Sequence, residues 1–282
     1  MTAPSKRHLE VRTAIDPLTP STVPADLVFD DVRIERGGRV ILDHLSFRLP
    51  HGSITAVLGP SGAGKSTLLH AITGELVPSH GHLSALGVAL AYRRRDLLAL
   101  RRRIGVLLQG NGLLSDLTVA ENIALPLRMH TRLSDALILR LVQLKLNAVG
   151  LVSALDLYPR ELSGGMARRV AFARALALDP PLMLYDEPLT GLDPIAIGVI
   201  VSLIAGLNKI LNMTSVIITH HVQQSLSIAD RVLVLANGGL AFDGTPAMLY
   251  ASTDPLLLQF LRGEPDGPIA FDASRNPLAV AA

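Results

Sequence analysis

The stretch that most constrains how this chain folds is residues 59–67, which read GPSGAGKST. A glycine, four residues, and then glycine, lysine and serine or threonine form the pattern of a phosphate-binding loop. Residues 54–58 before the loop predict a short buried strand, and residues 67–72 after it predict the first turns of a helix. Because a phosphate-binding loop joins a strand to a helix, this context favours a nucleotide site over a glycine-rich turn without a ligand.

The residue types of the loop suit a nucleoside triphosphate with Mg²⁺. Its glycines allow a tight turn that aims several backbone N–H groups at one anion, and the helix start adds the positive end of its dipole. Lys65 supplies a compact charge for the outer phosphates, and the hydroxyl of Ser66 is suited to Mg²⁺. The predicted ATP-binding residues of the loop are Gly59, Pro60, Ser61, Gly62, Ala63, Gly64, Lys65, Ser66 and Thr67.

Length, cysteine content and charge narrow the class of protein. The 282 residues can hold one large α/β domain or two small ones. The absence of cysteine excludes disulfides and thiolate metal sites. A net charge of +2 is too small to indicate nucleic acid as a binding partner. The arginine clusters at 93–95 and 101–103 lack interleaved aromatic residues, so they favour a solvated face over a nucleic-acid patch.

The apolar content of the chain allows two interpretations. Residues 1–25 are rich in proline and predict a disordered tail without the apolar core of a signal peptide. No uncharged apolar run of about 18 residues is present, so we predict no membrane span and a cytoplasmic protein. The mean hydropathy of +0.39 is nevertheless high for a free soluble protein. Either the abundance of alanine and leucine explains it, or partners cover additional apolar surface.

Hydrophobic patterning predicts an α/β fold. Short strands fill residues 27–49, and helical periodicity runs through residues 117–146, where Thr118 and Glu121 fit a capping box. The apolar runs that lead up to Asp186 and His220 predict central parallel strands, and a hairpin with a turn at residues 237–238 follows. Helices are predicted from residue 167 to about 178 and from about residue 194 to 211. Ligands in open α/β sheets bind at the carboxyl ends of strands, so we expect the polar residues there to meet the phosphate-binding loop.

Four polar residues at these strand ends fit the requirements of ATP hydrolysis. Asp186 can hold Mg²⁺ together with Ser66, and Glu187 is placed to act as general base on water. His220 can clamp the γ-phosphate and the base, and Gln109 ends the strand predicted over residues 104–109. Each is weak alone, because Gln109 and His220 are often structural and Asp186–Glu187 could be an exposed strand end. Together with the loop, and in this order, they predict an ATPase site.

Taken in order, these motifs resemble those of ATP-binding cassette (ABC) transporter ATPases over about residues 27–249. The corresponding motifs are Walker A at 59–67, the Q-loop at Gln109, the signature at 162–166, Walker B at 182–186, the D-loop at 191–193 and the switch histidine at His220. The resemblance implies catalytic roles for Gln109, Glu187 and His220, and Mg²⁺ coordination by Ser66, Gln109 and Asp186.

The resemblance also implies an architecture. We expect an α/β P-loop NTPase fold with a mostly parallel sheet core, an N-terminal antiparallel β subdomain and an inserted α-helical subdomain. The implied domain boundaries are a disordered tail at 1–25, an ABC ATPase domain at 26–249 with its helical subdomain at about 111–180, and a C-terminal extension at 250–282.

Cassettes of this family work as head-to-tail pairs, which hold each ATP between Walker A of one copy and the signature of the other. The resemblance therefore implies nucleotide contacts for Ser163, Gly165 and Asp193, although Ser163 alone also fits an ordinary helix N-cap. Two positions depart from the family pattern. Met166 stands where a glutamine is usual, and Arg36 stands where an aromatic residue usually stacks on adenine. A guanidinium can lie flat on a base, so Arg36 is expected to contact adenine.

Residues 162–169, 191–195, 260–263 and 266–268 are similar to the ATPase of the Mla system. This implies phospholipid transport between the inner and outer membranes of Gram-negative bacteria, which maintains outer-membrane lipid asymmetry, from the cytoplasmic face of the inner membrane. The implied partners are a second copy, whose contact the C-terminal extension would enlarge, an integral membrane permease, an MCE-domain lipid-binding protein and a STAS-domain protein, with no nucleic acid. The motifs leave open a transporter of another cargo and a non-transport ABC ATPase acting on nucleic acid or ribosomes.

Overall fold

Two β-sheets frame the protein, for which a computed structural model describes residues 25–269. The predicted tail therefore lies outside the described residues, apart from its last position. The strands are β1 (Ala25–Arg36), β2 (Arg39–Pro50), β3 (Ile54–Leu58), β4 (His80–Ala85), β5 (Val88–Ala89), β6 (Ile104–Leu107), β7 (Leu182–Asp186), β8 (Thr214–Ile218), β9 (Arg231–Ala236) and β10 (Gly239–Gly244). The order β2-β1-β4-β5 is antiparallel, and the second sheet runs β10-β9-β3-β8-β7-β6.

Among the described residues, seven helices lie between these strands in the chain, and two follow the last strand. They are α1 (Lys65–Ile72), α2 (Arg94–Arg101), α3 (Val119–His130), α4 (Asp135–Ala148), α5 (Gly164–Ala175), α6 (Pro194–Leu211), α7 (Val222–Leu226), α8 (Pro246–Tyr250) and α9 (Pro255–Arg262). The chain forms α3, α4 and α5 between β6 and β7. The predicted capping box is confirmed, because Thr118 and Glu121 each bond the other's backbone at the start of α3.

The parallel strands of the six-stranded sheet all end at the same edge of that sheet. Strands β6, β7, β8, β3 and β9 are parallel, and β10 pairs antiparallel with β9 as an edge hairpin. Every residue of β3 and β8 is buried, which is the pattern of central strands covered on both faces. Since these strands run the same way, their carboxyl ends meet at one edge of the sheet. The predicted α/β fold, with its parallel core and antiparallel N-terminal sheet, is confirmed.

The apolar core follows the two sheets. One part fills the space between the antiparallel sheet, α1 and the central strands, where Phe29 and Phe47 stack with their ring centroids 4.4 Å apart. A second part joins helices α3 to α6 to the opposite face of the parallel sheet, and Phe172 stacks there on Tyr185. A third part lies under the edge hairpin, α8 and α9. Each helix is therefore fixed to the sheet whose strand ends carry the polar residues.

Three local predictions differ from the structure. Strand β4 was not predicted, because His80-Gly81-His82 lacks apolar alternation, yet its backbone pairs with β1. Helix α5 begins at Gly164 rather than near residue 167, because the Ser163 side chain accepts a hydrogen bond from the Met166 N–H and caps the helix there. Strand β6 ends at Leu107, so Gln109 lies in the loop beyond it.

Helix α6 bears on the prediction that the chain has no membrane span. Among residues 25–269 it is the one helix whose length and apolar composition would allow it to cross a membrane. It packs on the fold through Ile200 and Ile204, which are both buried, while Ile195 and Ile210 are 81% and 76% exposed. The high mean hydropathy therefore includes apolar side chains on the surface of this helix.

Candidate functional site

The phosphate-binding loop lies between β3 and α1, as the sequence predicts, and two of its glycines are required by geometry. Gly59 has φ +147°, and a Cβ there would lie 2.2 Å from the backbone oxygen of Leu235. Gly64 has φ +95°, and a Cβ there would lie 2.4 Å from Cδ2 of Leu42. A side chain would clash at either position, so the loop can approach its neighbours only with glycine there.

Lys65 is the first residue of α1 and its side chain is held inside the loop. The residue is 7% exposed, and Nζ donates to the carbonyl oxygens of Gly59 and Pro60 at 2.7 and 2.9 Å. Burial lowers the pKa of Lys65, and the carboxylates of Glu187 and Asp186 oppose that shift. These contacts hold the ammonium group close to the backbone N–H groups of the loop, where an anion would bind.

A cavity of about 370 Å³ opens beside Lys65 at the carboxyl edge of the parallel sheet. Its lining includes Ser61, Gly62, Gly64, Ser66, Thr67, Gln109, Asp186, Glu187, Thr190 and His220. The structure therefore brings together the phosphate-binding loop, Gln109 in the loop after β6, the two carboxylates at the end of β7 and the histidine that follows β8. These are the segments that the sequence predicts to converge.

The two carboxylates differ in their surroundings. Asp186 is half-buried, and the pKa of its carboxyl is raised, first by burial and then by the negative charge of Glu187. Glu187 is buried and has a left-handed backbone with φ +49°, which is uncommon for a residue other than glycine, asparagine or aspartate. Its N–H donates to the Ile218 carbonyl oxygen at 2.8 Å. The unusual backbone turns the Glu187 side chain into the cavity beside the end of β8.

Three polar groups surround the Glu187 carboxylate. The Thr190 hydroxyl donates to Oε2 at 3.1 Å, and the backbone N–H of His220 donates to the same oxygen at 3.3 Å. Nε2 of His220 lies 3.3 Å from Oε1. Thr190 is not among the site residues predicted from the sequence. Its spacing of three residues from Glu187, which suits a side-chain contact across one turn, is the signal that points to it.

Seven of the predicted site residues do not line this cavity, and three of them, Gly59, Pro60 and Ala63, belong to the phosphate-binding loop itself. Ser163, Gly165 and Asp193 line a separate concavity of about 570 Å³ at the start of helices α5 and α6. Asp193 caps α6 by accepting from the N–H groups of Ile195 and Ala196. Arg36 lies at the exposed end of β1 and is not among the lining residues either. Within one copy of the chain, the signature residues therefore lie in a different concavity from the phosphate-binding loop.

The oxygen donors of the cavity fit Mg²⁺. Ser66, Asp186 and Gln109 supply a hydroxyl, a carboxylate and an amide oxygen, which are hard ligands of the kind that Mg²⁺ prefers. Within residues 25–269 no group of three or more histidine, cysteine, aspartate and glutamate side chains is arranged to hold a metal. An ion bound together with a nucleotide needs no such group, because phosphate oxygens and water complete its octahedron.

Comparison with known proteins decides the family. The model of the ABC transporter family matches residues 42–190, just over half of the chain. The chain belongs to the ABC transporter family. As an ABC ATPase it binds and hydrolyses ATP. Among curated relatives, the ABC protein "Intermembrane phospholipid transport system ATP-binding protein MlaF" of Haemophilus influenzae is 47% identical over 242 residues, which span 86% of this chain and 92% of that protein.

Solved ABC cassettes have the same fold. The structure of cbiO1 from Clostridium perfringens, part of the ABC transporter complex cbiONQ, gives a TM-score of 0.77 at 28% identity and covers 85% of this chain and 95% of that one. The dimeric post-hydrolysis structure of the ATP-binding cassette MJ0796, bound to ADP and Pi, gives 0.71 at 29% identity over 78% and 98% of the two chains. The ABC transporter resemblance expected from the sequence, including its similarity to the Mla ATPase, is confirmed.

Proposed function

We propose that this chain is the ATP-hydrolysing subunit of an ABC transporter that moves phospholipid between the inner and outer membranes and so maintains outer-membrane lipid asymmetry. The observation that carries the proposal is the 47% identity to a phospholipid transport ATP-binding protein along 92% of that protein's length. The residues of the cavity support the ATPase part of the proposal independently of that relative, because their chemistry matches each step of hydrolysis.

Nucleotide binding is assigned to the loop and to the start of α1. The backbone N–H groups of residues 59–67 would surround the phosphates, and Lys65 would neutralise the outer ones once it exchanges its carbonyl partners for phosphate oxygens. Ser66 and Asp186, with Gln109, would hold Mg²⁺, which supplies charge neutralisation on the phosphate oxygens. Arg36 remains a proposed adenine contact, and it lies exposed at the turn between β1 and β2.

Hydrolysis is assigned to Glu187, with His220 and Gln109 beside it. A carboxylate with a free oxygen facing the cavity can take a proton from the attacking water. The Thr190 hydroxyl and the His220 N–H fix Oε2, which leaves Oε1 toward the imidazole of His220. His220 can then orient the base and contact the γ-phosphate, and Gln109 can orient water near the metal ligands.

The complete site is proposed to need a second copy of the chain. Ser163 and Gly165 begin α5, and the N–H groups of a helix start favour an anion. They lie outside the cavity that contains Lys65 in the same chain, so a head-to-tail dimer would supply them from the partner, together with Asp193. The dimeric state of the similar cassette MJ0796 supports this arrangement.

The permease is proposed to bind at the groove near residues 114–126. A concavity of about 270 Å³ adjoins the end of that segment, between α3, α5 and the start of β6. Leu125, Pro126 and Met129 line it together with the arginines Arg101, Arg102 and Arg174, among others. Met129 is 67% exposed, so an apolar element of a membrane subunit can pack there. Movement of α3 relative to the sheet would connect the nucleotide site to that subunit.

The remaining partners and the location follow from the Mla similarity. We propose peripheral attachment to the cytoplasmic face of the inner membrane through the permease, with MCE-domain and STAS-domain proteins in the same complex and no nucleic acid. The proposed division of the chain is a tail at 1–25, the ATPase domain at 26–249 with a helical part at about 111–180, and an extension at 250–282. Within the extension, α9 packs on this chain's own edge hairpin through Leu256 and Leu257, and later residues would reach the second copy.

The test is purification of the tagged full-length chain from detergent-solubilised membranes, followed by identification of its partners and of bound lipid. The proposal expects a permease, an MCE-domain protein and co-purified phospholipid. A permease without an MCE-domain protein would indicate another cargo. Recovery with ribosomes in place of membrane proteins would support a non-transport ATPase and contradict the proposal.

A further inference from the structure

Arg168 lies on α5, four residues after the start of that helix, and its guanidinium is buried between two segments of the catalytic site. The residue is 4% exposed. Nη1 donates to the carbonyl oxygen of Leu108 at 2.9 Å, and Nη2 donates to the carbonyl oxygen of Thr190 at 3.4 Å. Nε is buried and has no hydrogen-bond partner among the described residues. The cation is thus held by two backbone carbonyls rather than by a carboxylate.

Each carbonyl belongs to a segment that carries a site residue. Leu108 directly precedes Gln109, and Thr190 donates its hydroxyl to the Glu187 carboxylate at 3.1 Å. The two partners are 60 and 22 residues away from Arg168 in the chain. One planar side chain therefore joins α5, the loop after β6 and the turn after β7.

The energetic cost of this arrangement argues against simple packing. Burial of a cation without a carboxylate is costly, and it lowers the pKa of Arg168. An apolar side chain of similar length would fill the same space without that cost. The planar guanidinium of Arg168, unlike an apolar side chain, bonds two carbonyl oxygens at once. It therefore fixes the distance between the loop after β6 and the turn after β7.

We propose that Arg168 is a positioning residue that connects the start of α5 to Gln109 and Glu187 of the same chain. The inference rests on the proposed function, in which Ser163 and Gly165 at that helix start contact the nucleotide of the partner copy. By bonding both carbonyls, Arg168 fixes the spacing between α5, the loop before Gln109 and the turn that holds Glu187.

The experiment compares Arg168→Met and Arg168→Lys with the wild type in the full-length chain. It measures kcat and KM for ATP, nucleotide affinity and the melting temperature. Lys145→Met is the matched control, because Lys145 is also a buried cation that joins a helix, α4, to a loop, through Asp179, but it lies outside the cavity. Both methionine variants are expected to melt at lower temperature.

The proposal expects R168M to lower kcat by about tenfold or more while KM and nucleotide affinity change by about twofold at most. R168K keeps the charge and can bond one carbonyl at a time, so it should recover part of kcat and should fold even if R168M does not. K145M should keep the wild-type kcat. Equal kcat losses in R168M and K145M, or wild-type kcat in R168M or R168K, would overturn the proposal. An inactive wild type would instead contradict the proposed function itself.

Discussion

Oε1 of Glu187 and Nε2 of His220 lie 3.3 Å apart at the ends of neighbouring parallel strands. The same glutamate bonds Thr190 and the backbone of His220 through its other oxygen. These contacts fix the carboxylate, with one oxygen directed toward the histidine. This arrangement suits a general base, because a fixed carboxylate keeps the geometry that proton transfer from water requires.

Replacement of Glu187 by glutamine should separate binding from hydrolysis. The amide keeps the size of the side chain and can still accept from Thr190, but it cannot take a proton from water. We expect E187Q to retain ATP affinity and to lose turnover by roughly 10²–10⁴-fold. Fluorescent-nucleotide titration and a phosphate-release assay measure the two quantities. Wild-type turnover in E187Q would exclude Glu187 as the general base.

Replacement of Lys65 by alanine should weaken nucleotide binding. Charged hydrogen bonds of about 1.5–3 kcal/mol would be lost, which corresponds to roughly 10–100-fold in affinity. Lys209→Ala is the control, because Lys209 is exposed on α6 and its removal changes the net charge equally. Titration should give the wild-type affinity for K209A. Unchanged affinity in K65A would show that the buried ammonium group does not meet the phosphates.

The edge hairpin should depend on a buried ion pair. Nη2 of Arg231 donates to Oδ2 of the fully buried Asp243 at 2.6 Å, and burial raises the pKa of Asp243 although Arg231 opposes the shift. Arg231→Met would leave that carboxyl without its partner, which should cost about 3–5 kcal/mol in the free energy of unfolding. Denaturant titration measures this, with Arg262→Met as the control for an exposed pair, at about 0–1 kcal/mol. Equal small losses in both variants would contradict the assignment.

The contact between Asp31 and His44 should make stability depend on pH. The hydrogen bond from His44 lowers the pKa of Asp31, and the Asp31 carboxylate raises the pKa of His44. The histidine contribution is present below the ordinary pKa of about 6.5 and is lost as the pH rises through the higher value of the folded protein. The aspartate contribution is lost as the pH falls below about 3.8. The pair therefore stabilises the fold between those limits.

The variant that tests this pair is Asp31→Asn. Asparagine also tolerates the left-handed backbone at this position, where φ is +51°. The melting temperature of D31N should fall below that of the wild type at pH 5.5, and the two should converge toward pH 9. A difference that is independent of pH would mean that the contact contributes through shape rather than through charge.

The parts of the site that depend on local sequence could be predicted. The phosphate-binding loop follows from its glycine spacing, and Asp186 and Glu187 follow from the apolar run before them, because burial of a central strand leaves its polar end at the sheet edge. The bounds of α6 match the predicted range of about residues 194–211. Asp193 and the proline after it begin the helix by ordinary capping.

The parts that depend on contacts between distant segments could not be predicted. Arg168 reads in the sequence as one more arginine of a helix, and its partners become visible only when β6 and β7 are placed beside α5. The pairing of β4 is another case, because its backbone bonds to β1 do not depend on apolar side chains. The separation of Ser163 from Lys65 likewise follows from the three-dimensional arrangement of the helices.

The most direct test of the composite site uses mixed dimers in the E187Q background, in which bound ATP is not consumed. In the first dimer, one chain carries Lys65→Ala and the other carries Ser163→Arg. In the second, one chain carries both substitutions and its partner carries neither. Nucleotide retained after rapid desalting is counted for each. A site shared between copies predicts one retained ATP per dimer in the first case and none in the second. Equal retention by the two dimers, or full retention by a monomer, would contradict it.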